Sequence, residues 1–158
     1  MAEGNPNPPG WYEAAFGKRT TEKVLYLTYD DGPYPTTTNK ILKLLAANDA
    51  KATFFVLGRQ VDVFPTYADK IVAAGHALGN HTQDHENLAT RGPTVIRKQL
   101  TSVQKSVGPS LGNCMRPPGG FIDDQVLSMN EAGWPLWSGA DGTADVSGVG
   151  LNAGAGSG

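Results

Sequence analysis

Residues 23–33 read KVLYLTYDDGP, and how this stretch is understood decides the fold. Val24 to Tyr29 is an apolar, aromatic-rich run that reads as a strand. It stops on Asp30 and Asp31, two adjacent carboxylates that are costly at the end of an apolar strand unless a cation or a turn compensates them. Asp-Gly-Pro is also good turn chemistry, so a plain turn and a functional carboxylate pair both stand open here. Because neighbouring like charges raise one of the two pKa values, one Asp held on a metal and the other free as a base would be a natural division of labour.

Working outward, short apolar runs alternate with amphipathic segments from Lys23 to Trp137, punctuated by Gly, Pro and Asn. The pattern predicts a helix over 38–47, with Ile41, Leu44 and Leu45 on one face, and a strand over 52–57. Pro65 can open a helix over 66–74 that Gly75 ends, and a short strand follows over 77–79. The clearest helix is predicted over 93–107, where Ile96, Leu100, Val103 and Val107 form one stripe and Gly108-Pro109 stops it. A strand should lead into Arg116, a helix should run over 124–132 to Gly133, and a last strand over 135–137. Five strands alternating with four helices imply parallel βαβ units and an α/β fold. A doubly wound sheet and a partial (β/α) barrel both fit. In either, chemistry gathers at the carboxyl ends of the strands, and Asp30-Asp31, Asn80-His81 and Arg116 each follow a predicted strand.

Composition narrows the classes. At 158 residues and 39% hydrophobic content the chain can bury one real core. Cys114 has no partner in the chain, which excludes a disulfide scaffold. No apolar run approaches the roughly 20 residues that span a bilayer. The opening MAEGNPNPPG lacks the basic and apolar regions of a signal peptide, so the expectation is a cytosolic chain or one that starts after a removed leader. The net charge of -2 argues against a nucleic-acid binder, which would show a basic stripe. That charge is uneven: residues 1–116 carry +3 and the remainder -5. The last 20 residues hold seven Gly, four Ala and two Ser, and a flexible end is expected there.

Two further stretches carry candidate chemistry. In GNHTQDH, His81 and His85 are separated by three residues, so on a helical turn they would share a face and could grip one ion. An isolated pair at this spacing is weak, but with a carboxylate it becomes a two-His, one-carboxylate set with room for water. Asp84 lies between the histidines but points elsewhere on such a turn, which favours Asp31 as the third ligand. His76 precedes a different turn and is read as structural. In CMRPPGG, Arg116 stands at a strand end before two prolines that stiffen the backbone. By itself it is an ordinary surface Arg; beside Asp30 its charge would keep that carboxylate ionised and oriented. Gly119 has the backbone N–H that Pro117 and Pro118 lack, and it could donate to a developing oxyanion.

Taken in order, TYDDGP, AGHALGNHTQDH and RPPGG resemble the successive motifs of the polysaccharide deacetylases of the NodB-homology type, carbohydrate esterase family 4. The resemblance covers about Val24 to Asp145. It implies a distorted (β/α) barrel and removal of acetyl groups from chitin, chitooligosaccharides, peptidoglycan or acetylxylan. It implies Asp30 as catalytic base, Asp31, His81 and His85 as metal ligands, and Arg116 as the residue that orders the base. The implied metal is zinc, with cobalt or nickel as alternatives, and the implied partner is an acetylated polysaccharide bound by a monomer in the cell envelope or outside the cell. Pro118 and Gly119 would line the oxyanion site, and Tyr34 and Trp137 would contact sugar, as could Trp134 and Phe121.

The sequence also departs from the family pattern. The family takes its general acid from a His in a Leu-x-His segment near the domain end, whereas no His follows His85 here. The strands that would carry it are also expected to be absent, which suggests an incomplete or impaired domain. An aromatic often follows the double proline, and here stands Gly119. An Asp-Trp pair whose Asp supports the Arg is matched by Asp145-Val146, with Asp141 as a competing match. The expected organisation is an extension over 1–22, an incomplete deacetylase-like domain over 23–146 and a Gly/Ala/Ser-rich tail over 147–158.

Overall fold

The computed structural model describes residues 25–133 and 149–153. The strands are β1 (Leu25–Tyr29), β2 (Ala52–Val56), β3 (Ala77–Asn80), β4 (Leu111–Met115) and β5 (Val149–Ala153). The helices are α1 (Pro35–Ala47), α2 (Gly58–Val63), α3 (Thr66–Ala73), α4 (Pro93–Val107) and α5 (Asp124–Glu131). Short 3-10 turns stand at Leu88–Thr90, Gly108–Ser110 and Pro118–Gly120.

The strand order is β4-β3-β2-β1-β5, with β1 to β4 parallel and β5 antiparallel to β1. This order separates the two architectures that the sequence leaves open. A doubly wound sheet reverses direction at a switch point, whereas here each successive strand from β1 to β4 is added on the same side, as in a barrel wall. Right-handed crossovers of that kind keep their helices on one face of the sheet. β5 falls in the stretch expected to be a tail; a ladder asks only for backbone N–H and C=O groups, which a Gly- and Ala-rich segment possesses. The strand expected over 135–137 lies outside the described residues.

Helix ends follow local chemistry. α4 occupies the predicted span, opening on Pro93 after Gly92 and closing at Gly108, whose φ of 77° is a left-handed conformation suited to glycine. α1 begins three residues earlier than predicted, because Pro35 supplies a helical φ and Tyr34 N–H donates to Thr38 Oγ1 at 3.0 Å. α2 is not expected from the sequence, since six residues reading GRQVDV are too short to display a helical period.

Two apolar clusters hold the layers together. Phe54 and Val56 of β2, Leu78 of β3, Leu45 of α1, Ala68 and Ile71 of α3 and Val103 of α4 form the larger. Ile96 and Leu100 of α4 join Leu88, Met115, and Val126 and Met129 of α5 in the other. Burying each large side chain of this kind contributes about 1.5–3 kcal/mol. Phe55, between Phe54 and Val56, points to the opposite sheet face and is also fully buried.

His76 stands just before β3, at the end of that strand opposite His81, which separates it from the strand-end carboxylates. Its ring packs on Phe54 with centroids 5.6 Å apart, and burial, followed by the Lys51 charge, holds its pKa below 6.5. The fold therefore prefers neutral His76. The associated stability is complete above 6.5 and is lost as pH falls from there through the lowered folded value. Urea midpoints measured against pH should fall less steeply on acidification in His76→Gln than in the unaltered chain; equal slopes would exclude this assignment.

Candidate active site

The carboxyl ends of β1, β3 and β4 bring the three motifs together. Asp30, just past β1, has a side chain only 1% exposed, and its Oδ1 accepts from Arg116 Nη1 at 2.7 Å. Asp31 follows with φ 68°, a left-handed conformation, and Asp30 Oδ2 lies 3.9 Å from the same His81 Nε2 that Asp31 faces. The chain bends at Asp31, so the DDGP stretch changes direction while holding both carboxylates at the end of β1. Asp31 Oδ1 lies 3.4 Å from His81 Nε2 and 3.2 Å from His85 Nε2.

The two histidines do not share a helical turn. His81 follows β3, and His85 is reached through a loop in which Thr82 and His85 take φ values of 71° and 61°. An i, i+4 helical face would be one way to pair them; here two left-handed residues fold the chain back instead, leaving the ring centroids 5.1 Å apart. The loop is pinned throughout. Thr82 N–H donates to Asn80 Oδ1, and His85 N–H donates to Thr82 Oγ1. Gly58 and Arg59 N–H groups donate to the Thr82 and Gln83 carbonyls.

His81 is oriented by its other nitrogen. Nδ1 lies 2.8 Å from the Arg116 carbonyl, which can only accept, so Nδ1 carries a proton and Nε2 is the nitrogen left to face Asp31. The Asp31 carboxyl is held below its ordinary value chiefly by its close approach to His81, against partial burial, with the His81, His85 and Arg59 charges adding to the effect. Its Oδ1 is screened from solvent without a well-formed hydrogen bond. Donors about 2.0–2.1 Å from a tetrahedral ion stand roughly 3.3–3.4 Å from one another, so the spacing of these atoms, the orphaned Oδ1 and the Nε2 that faces it all fit one divalent cation. Among the described residues Asp31, His81 and His85 form the one such group.

Arg116 is buried, 5% exposed, and its guanidinium carbon sits 4.4 Å above the Phe55 ring. That ring occupies room vacated by Gly79, its partner across the β2–β3 ladder: a Cβ at Gly79 would lie 2.5 Å from it. Among the described residues Arg116 Nε and Nη2 have no hydrogen-bond partner. Asp145, Asp141, Trp134 and Trp137 lie outside the described residues.

Gly119 is exposed at φ 64°, and a Cβ there would meet Phe121 Cε2 at 2.6 Å, so Phe121 covers the space that a side chain at 119 would enter. Pro118 beside it is buried. Tyr34 and Phe121 are 43% and 54% exposed and belong to the surface. Tyr34 Oη accepts from Gln60 Nε2 at 3.1 Å. Asp84, set aside as a ligand, accepts from Gln99 Nε2 at 2.9 Å. Thr82, Gln99, Phe55 and Gly79 shape the site without having been singled out in the sequence, whereas Asn80 was marked only by its place after a strand. The buried polar position at Gln99, inside the apolar stripe of α4, is the one signal that could have been noticed.

Comparison with known proteins accords with this geometry. The family model described as polysaccharide deacetylase matches residues 17–136. A chitooligosaccharide deacetylase from Azorhizobium caulinodans is 36% identical over 112 residues, 68% of this chain and 53% of the relative. The structure of peptidoglycan deacetylase PdaC from Bacillus subtilis superposes with a TM-score of 0.68 at 30% identity, covering 75% of this chain and 60% of that one. A pseudoenzyme of carbohydrate esterase family 4 from Bacillus anthracis gives a TM-score of 0.64 at 28% identity, covering 69% and 40%. The chain belongs to the polysaccharide deacetylase family, the NodB-homology type of carbohydrate esterase family 4, and has its α/β fold. It spans about half the length of the curated relatives it matches.

The seating of Arg116 over Phe55 is directly testable. Gly79→Ala forces the ring aside, and overpacking of this kind costs about 1–3 kcal/mol. Denaturant unfolding should register that loss, and adding Phe55→Leu should recover part of it. No recovery would show that the ring is not what fills the Gly79 space.

Proposed function

We propose that this chain is a metal-dependent deacetylase acting on N-acetylglucosamine polymers, chitooligosaccharide or peptidoglycan, with acetylxylan as the alternative substrate. The observation that carries the proposal is the three-donor group of Asp31, His81 and His85 set beside a separate carboxylate, Asp30, paired with the Arg116 guanidinium. The relatives are described as chitooligosaccharide and peptidoglycan deacetylases, and the peptidoglycan enzymes support a secreted or envelope location. Among the described residues no helix is long and apolar enough to cross a membrane. We take the chain to act as a monomer.

Asp31, His81 and His85 would hold zinc, or cobalt or nickel in its place. Bound there, a divalent ion supplies Lewis acidity that polarises the acetyl carbonyl and eases loss of a water proton. The rest falls to the chain's own groups. Asp30 takes the proton of the attacking water, and the Arg116 contact keeps it aimed before that transfer. The N–H of Gly119, next to Pro118, donates to the oxyanion of the tetrahedral intermediate. Asp145, or Asp141, would bond the Arg116 Nε and Nη2 atoms that the described residues leave over. Tyr34, Trp137 and Phe121 offer aromatic faces to sugar.

A departing amine must also receive a proton, and the three histidines of this chain are already disposed. His76 is at the far end of β3, and His81 and His85 belong to the donor group. This favours, as a second reading, a chain that binds metal and glycan with little turnover; one structural relative is itself described as a pseudoenzyme of the family.

Acetate release from N-acetylglucosamine oligomers, zinc-loaded and chelated, decides between them. The proposal expects zinc-dependent release that falls about 10²–10⁴-fold in Asp30→Asn, the usual weight of a general base. Release that survives this change removes the assigned base, and oligomer binding without any release selects the second reading. With no histidine left to protonate an amine, the chain should retain more activity on aryl acetates, whose leaving groups need no proton, than on acetamides. Equal rates on the two classes would contradict that assignment.

A further inference from the structure

His81 and His85 are held in different ways. The His81 ring is fixed through Nδ1 on the Arg116 carbonyl. Among the described residues nothing hydrogen-bonds His85 Nδ1, and the side chain is 40% exposed. Apart from its contacts with Asp31 and the His81 ring, the reach of His85 Nε2 depends on the backbone that carries it. That backbone is under strain: Thr82 and His85 are both left-handed, and such conformations cost on the order of 1–3 kcal/mol each and persist only where the surroundings over-determine them.

Gln99 supplies that constraint from α4. It is 7% exposed and lies on the same helical face as Ile96, Leu100 and Val103, a place where an unpaired amide would cost about 1–3 kcal/mol. Its hydrogen bonds all go to the loop between Thr82 and His85. Oε1 accepts from the N–H groups of Gln83 and Asp84, both at 2.9 Å, and Nε2 donates to Asp84 Oδ2 at 2.9 Å. One side chain thus grips both residues that link the two left-handed ones. It does so from the packed helix, while Gly58 and Arg59 grip the loop carbonyls from the other side.

We propose that Gln99, through its reciprocal bond with Asp84, is the positioning residue for His85 and sets the affinity of the Asp31, His81, His85 group for its metal. The inference rests on the metal-site reading. Outer groups that orient a ligand typically change metal affinity by about 10–100-fold, and a loss of that size is expected in Gln99→Leu. Gln99→Glu keeps the acceptor for the two N–H groups but sets a carboxylate against Asp84, so it should lose affinity too. Combining it with Asp84→Asn exchanges donor and acceptor across the same contact and should restore most of the loss.

The test is zinc affinity by competition with a chromophoric chelator, together with thermal melts of the metal-free chains. Weakened binding in Gln99→Leu and Gln99→Glu, with recovery in the Gln99→Glu, Asp84→Asn double variant, supports the proposal. Unchanged affinity in both single variants, even with lowered melting temperatures, assigns Gln99 to stability alone and overturns it. Absence of recovery in the double variant overturns the Asp84 pairing. If Gln99→Leu does not fold, the Gln99→Glu pair decides. An unaltered chain that binds no zinc overturns the metal reading first, and this inference with it.

Discussion

The burial of the Arg116 guanidinium is the constraint on which the rest of the site depends. A buried cation is tolerated only with a close counter-charge, and Asp30 provides it at 2.7 Å with both side chains almost fully enclosed. From that one placement the residue reaches the ends of all four parallel strands. It pairs with Asp30 after β1 and stacks on Phe55 of β2. Its N–H donates to the carbonyl of Asn80 in β3, its carbonyl accepts from His81 Nδ1, and it directly follows β4. Removing the charge would leave Asp30 buried without its cation and would loosen the ring under it.

The site divides into a rigid half and a strained half. Asp30, Arg116 and His81 stand directly at strand ends, where the ladder limits their movement. Asp31, Thr82 and His85 occupy left-handed backbone without being glycine, and each is held by its neighbours. Gly32 carbonyl accepts from Leu57 N–H, and the 82–85 loop is gripped by Asn80, Gly58, Arg59 and Gln99. Strain of this sort is affordable where packed elements on both sides supply partners, and it lets a carboxylate and two imidazoles converge from different segments.

Gly119 and Phe121 show how a local departure can be filled from nearby. With no side chain at 119, the backbone turns at a positive φ, and the ring two residues later lies over it. An aromatic surface therefore remains beside the N–H proposed for the oxyanion, although it is carried by a different residue.

Much of the fold was legible in the chain itself. The α4 span, the strand positions of β1 to β4 and the gathering of Asp30, Asp31, His81 and Arg116 at strand ends all follow from hydrophobic period and punctuation, because these depend on local backbone geometry. The ordered motifs likewise point to the deacetylase family before any coordinates. Three things waited for the tertiary structure. Barrel-like winding is a matter of strand order, which no local pattern records. The pairing of His81 with His85 rests on two left-handed residues rather than a helical turn, because contacts from α2 and α4 hold the loop in a conformation that its own propensity disfavours. The work of Gln99, Gly79 and Phe55 is visible only where segments far apart in sequence meet, since a buried amide or a missing Cβ acquires meaning from what fills the space opposite.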